Sequence, residues 1–147
     1  MAVSLQEQVL LGLREGYFGS GKVIIKPHPY LPKNGQLKNQ FLSYGNCEFS
    51  DKSMSALLED CGLLITTESS VIFESVFLGI KTLYFVPEQF SIGLESFLKE
   101  YLFVAYEQDF LSKLSDALSS SSRPSAELER FFSEPSYDTF LECLRIR

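Results

Sequence analysis

The stretch Leu63-Leu64-Ile65-Thr66-Thr67-Glu68-Ser69-Ser70-Val71-Ile72-Phe73-Glu74 constrains this chain more than any other. Its first four residues read as a short strand, buried because apolar residues run together instead of alternating. A hydroxyl-rich turn follows, and then the opening turn of a helix over Val71–Leu78 that is apolar nearly all round and so expected to be buried. Gly79 stops that helix, and Lys81-Thr82-Leu83-Tyr84-Phe85-Val86 reads as the next strand, stopped by Pro87. Strand, helix and strand with short connections make a βαβ unit, whose crossover is right-handed. The chain is therefore expected to be α/β: a Rossmann-like three-layer α/β/α sandwich with a mostly parallel sheet.

The flanking segments fit that frame. Leu5, Val9 and Leu13 recur at helical spacing and Gly16 follows as a stop. Val23-Ile24-Ile25 is a β-branched strand that runs into Lys26-Pro27-His28-Pro29-Tyr30-Leu31-Pro32, where three prolines impose extended, irregular backbone. Residues 33–44 read as a helix or an irregular excursion, and Cys47-Glu48-Phe49-Ser50 as a short strand. Asp51 or Ser53 can cap a helix in which Met54, Leu57, Leu58 and Cys61 share a core-facing stripe. Helix is expected over 96–101, a last strand at Leu102-Phe103-Val104, and C-terminal helices across about 107–147, interrupted at Ser119–Pro124. At 147 residues the whole reads as one domain.

Composition removes several function classes. With 13 basic against 19 acidic residues, the chain lacks the basic face of a nucleic-acid binder. No apolar run approaches the roughly 20 residues that span a bilayer, and the first residues do not resemble a signal peptide. Cys47, Cys61 and Cys143 form no CxxC pair, and one histidine cannot anchor a ligand-spaced cluster, so no metal is expected. Reduced thiols and a cytoplasmic location are the expectation. GxxxxGK[ST], GxGxxG and GxSxG are all missing.

What remains is a set of side chains at the carboxyl ends of strands, where open α/β sheets hold their ligands. His28 follows the first strand. Thr67, Ser69 and Ser70 follow the third, at a helix N-terminus whose N–H groups and dipole favour an anion. Ser70 is the N-cap candidate; its hydroxyl, with the N–H groups of Val71 and Ile72, can meet phosphate oxygens, and plain helix capping is the alternative. Glu74, one turn on, can accept from the two hydroxyls of a ribose, or can simply complement the helix dipole. Lys26 is either a ligand contact or a solvated strand-end charge.

Lys26-Pro27-His28-Pro29, followed by Thr66-Thr67-Glu68-Ser69-Ser70-Val71-Ile72-Phe73-Glu74, resembles the paired "KPHP" and "T-x-x-S-S-x-x-F-[DE]" segments of certain GT-B-type transferases. These are the CDP-glycerol glycerophosphotransferases, capsular Kdo transferases and bacterial polysialyltransferases, which build surface polysaccharides. The similarity covers residues 20–87 and is vaguer out to 118, with Thr67-Glu68 departing from the residues that many members carry there. The resemblance implies the C-terminal, nucleotide-binding half of a GT-B architecture, in a longer two-domain protein whose N-terminal domain supplies the general base. It implies that His28, as the catalytic residue, and Thr67, Ser69 and Ser70 hold the phosphate of a CMP- or CDP-linked donor, and that Glu74 holds its ribose. The base would lie near Phe49, Ser50 and Ser53. The donor is a substrate, so no cofactor is implied; peripheral membrane association of the longer protein is a further expectation. The alternatives are a UDP-sugar transferase or UDP-sugar 2-epimerase-like domain, or a non-catalytic α/β domain that binds a partner protein, through Phe131 and Phe132 especially.

Overall fold

The computed structural model describes residues 4–27, 35–67, 69–87 and 101–121. The elements are α1 (Leu5–Arg14), β1 (Val23–Ile25), α2 (Gly35–Leu42), β2 (Cys47–Phe49), α3 (Met54–Glu59), β3 (Leu63–Thr66), α4 (Val71–Phe77), β4 (Lys81–Phe85) and β5 (Phe103–Ala105). A 3-10 turn (Glu107–Asp109) then leads into α5 (Phe110–Ser119). His28, Glu68, the helix expected over 96–101 and the helices expected beyond 121 lie outside the described residues.

Local chemistry sets the ends of these elements. Ser4 and Glu7 form a capping box at α1: Glu7 N–H donates to Ser4 Oγ at 3.3 Å, and Ser4 N–H donates to Glu7 Oε2 at 2.7 Å. Those bonds, the backbone one above all, hold the Glu7 carboxyl below its ordinary value. Both α1 and α4 end in a Schellman motif, with Gly16 and Gly79 at φ of 78°. Around Gly79, Ile80 N–H donates to Ser75 O at 2.8 Å and Gly79 N–H to Val76 O at 3.1 Å. Around Gly16 the matching bonds are Tyr17 N–H to Gly12 O at 2.9 Å and Gly16 N–H to Leu13 O at 3.1 Å.

All observed strand pairs are parallel. β1 lies beside β2, with Val23 opposite Cys47 and Ile25 opposite Phe49. β4 is the centre of a second sheet, with Leu63 of β3 opposite Lys81 and Ala105 of β5 opposite Phe85. Alternation along β4 divides the core into two. Leu83 and Phe85 face one cluster with Val9 and Leu13 of α1, Phe41 of α2, and Phe110 and Leu114 of α5. Val23, Ile25, Cys47 and Phe49 of the first sheet pack against that same cluster. Tyr84 and Val86 face the opposite side, where Ile72 and Val76 of α4 cover them. Helices thus sandwich the sheet, and the fold is the expected small α/β, Rossmann-like one.

Two expectations are corrected. α4 is not buried all round: it packs one face on the sheet, and Phe77 and Leu78 remain 41% and 59% exposed. The stripe on α3 is not uniformly core either. Leu58 is buried, whereas Met54, Leu57 and Cys61 are half-buried, because a helix of six residues lays down little more than one turn of contact. The last strand begins one residue later than expected, at Phe103.

Candidate functional site

β3 delivers Thr67 to the carboxyl edge of its sheet, and the parallel register of Thr66 with Tyr84 brings the end of β4 to that same edge. Thr66 Oγ1 donates to the carbonyl of Thr67 at 3.3 Å, which braces the exit from the strand. Ser69 and Ser70 then lead into α4. Ser70 stands at the N-cap position, but its backbone is already helical, with φ −59° and ψ −21°, and its side chain makes no capping bond. Ser69 does that work: its Oγ accepts from Val71 N–H at 3.3 Å, and its carbonyl accepts from Ile72 N–H at 3.2 Å. The expected assignment of the cap to Ser70 is therefore corrected to Ser69. The two N–H groups expected to meet a phosphate have internal partners. A capping N-cap residue needs extended backbone to aim its oxygen at N2 or N3, and Ser70 lacks it. The consequence is that the exposed Ser70 hydroxyl is not used by the helix.

Glu74 is half-buried, one turn from Ser70, and its carboxylate makes no hydrogen bond or ion pair among the described residues. On the other sheet, Ser50 N–H donates to Ile25 O at 3.0 Å, and Ser50 Oγ accepts from Lys52 N–H at 3.2 Å. Ser53 Oγ caps α3 by accepting from Ala56 N–H at 3.3 Å. Phe49 packs edge-on against Phe41, centroids 6.1 Å apart, and contributes to the core. The hydroxyls of Ser50 and Ser53 and the ring of Phe49 are thus engaged in holding the loop that follows β2.

The structure brings Thr67, Ser69, Ser70 and Glu74 together at one strand-to-helix junction, and Phe49, Ser50 and Ser53 at another. Sequence reading passed over the groups that organise the second junction. The Lys26 ammonium donates to the Lys52 carbonyl at 2.6 Å, and Lys38 Nζ stands 5.5 Å from the centre of the Phe49 ring. Neither has a sequence signature, because each joins residues far apart in the chain. Burial pushes the Cys47 and Cys61 thiols above their ordinary value, so neither is poised as a thiolate nucleophile. Among the described residues no three His, Cys, Asp or Glu side chains gather as metal ligands would, and no helix is long and apolar enough to cross a membrane. No protein-family model, curated protein or solved structure matches this chain.

Proposed function

We propose that this chain is the donor-nucleotide-binding domain of a cytoplasmic GT-B-type transferase of surface-polysaccharide synthesis, holding the phosphate of a CMP- or CDP-activated sugar or glycerol. The observation that carries the reading is the placement of α2 and α4 on opposite faces of the sheet layer. Right-handed crossovers over opposite faces lead the chain away from β1 and from β3 in opposite directions. The reversal falls between those two strands, and the crevice outside their carboxyl ends is where open α/β sheets bind nucleotides. Lys26-Pro27 leaves β1 there, and Thr67 to Ser70 leaves β3. An unused Ser70 hydroxyl and an unpaired Glu74 are what a phosphate and a ribose would require. Fixed donors around a departing nucleotide phosphate stabilise developing charge, while the acceptor's general base comes from a partner domain.

Amide NMR of the whole chain titrated with CMP, with UMP in parallel, tests this. CMP is expected to shift the amides from Ser69 to Ile72, and Ser70→Ala to weaken binding about tenfold, as befits a hydrogen bond to a charged group. Ser69→Ala should instead lower stability by about 1 kcal/mol through loss of the cap. A stronger response to UMP would move the assignment to uridine-linked donors. Silence with both nucleotides at millimolar concentration would remove the site.

A further inference from the structure

Lys26, Lys38 and Lys52 meet at the carboxyl edge of β1 and β2. Lys26 follows β1, Lys52 follows β2, and Lys38 lies in the first turn of α2. The Lys26–Lys52 carbonyl bond at 2.6 Å ties the two strand ends together. The Lys38 ammonium is held over the Phe49 ring at the end of β2. Across residues 26–27, 35–38 and 50–53 the acidic residue is Asp51. Glu48 is occupied by Lys22 at 2.9 Å. None of the three ammoniums has a carboxylate within ion-pair distance among the described residues. In a chain with 19 acidic and 13 basic residues, this edge is a local reversal of sign.

Two of these cations are already oriented, one by a carbonyl and one by a ring, so less side-chain freedom is lost when an anion arrives. The Lys26 ammonium has three donors and gives one to Lys52, which leaves two for a ligand. We infer that Lys26 and Lys38, with Lys52 beside them, form a subsite for a second phosphate, so that the protein selects a nucleoside diphosphate over a monophosphate. The inference rests on the reading of the crevice between β1 and β3 as a nucleotide site, and it assigns the donor to the diphosphate-linked class.

Calorimetric affinities of CMP and CDP for the whole chain test it at low ionic strength. CDP is expected to bind about tenfold tighter than CMP, the size of one charge-assisted contact, with the advantage shrinking as salt rises. Lys38→Met, which leaves the strand tie intact, should erase most of that advantage and leave CMP affinity unchanged. Lys26→Met should do likewise and Lys26→Arg should preserve it. Equal affinity for CMP and CDP, or a CDP preference that survives both methionine variants, overturns the subsite while leaving the nucleotide site standing. Failure of both nucleotides to bind overturns both. Equal affinities, together with sedimentation on phosphatidylglycerol vesicles that the methionine variants lose, would overturn the subsite in favour of lipid headgroups.

Discussion

Two buried hydroxyls join α4 to the centre of the sheet. Ser75 Oγ and Thr82 Oγ1 are 2.7 Å apart and both side chains are fully buried. Each also has a backbone acceptor, Ile72 O at 2.8 Å for Ser75 and Ile80 O at 3.1 Å for Thr82. Two protons thus serve three contacts, a shared arrangement in which removing either partner disturbs the other. Ser75→Ala and Thr82→Val should each cost about 1 kcal/mol in chemical denaturation. The double variant should cost less than their sum by about 0.5 kcal/mol or more. Strict additivity would mean that the 2.7 Å contact couples nothing. A serine inside an otherwise apolar helix carries no sign of this partnership in its own neighbourhood, because the other hydroxyl arrives from the next strand.

At the scale of elements, Lys81 does for α5 what no residue of α5 does for itself. It begins β4, and its ammonium donates to Ala117 O at 2.7 Å and Ser120 O at 2.9 Å, at the carboxyl end of the helix. A cation there satisfies orphan carbonyls and opposes the negative end of the dipole. Lys81→Met should lower stability by about 1–2 kcal/mol. It should also speed amide hydrogen exchange in the last turn of α5 without affecting the middle of β4. Uniform acceleration across both elements would show that the lysine acts through the strand. The helix ends governed by glycine at Gly16 and Gly79 were readable in advance, since a left-handed residue is a local demand. This end was not, because its cap comes from 36 residues upstream of Ala117.

For the molecule as a whole, the packing of α1 on α5 turns on Gly12. A Cβ there would stand 3.0 Å from Leu114 Cδ2 and 3.0 Å from Phe18 Cε2, and Leu114 is fully buried. Alanine gains about 1 kcal/mol in helix propensity, but overpacking a filled core costs about 1–3 kcal/mol. Gly12→Ala is therefore expected to be net destabilising in urea, and Gly12→Val more so. A stabilised alanine variant would show that the two helices can move apart freely. The helix itself was legible from Leu5, Val9 and Leu13, whereas a glycine between them reads only as a weak helix former until its neighbour is known.

The candidate site divides along the same line. The strand, turn and helix of residues 63–74 were plain, because β-branched runs, hydroxyl-rich turns and glycine stops act within a few residues. Ser69 displacing Ser70 as the cap was not plain, since both serines suit the position by type and only the backbone angles at Ser70 separate them. By itself the sequence determined the order of strands and helices, most of their ends, and the parallel pairing that short βαβ connections impose. Only the tertiary structure decided which sheet face each helix covers, and where Lys26 and Lys81 send their ammoniums. Those outcomes depend on atoms 26 to 39 residues apart, which come within hydrogen-bond reach only once the shared core has assembled.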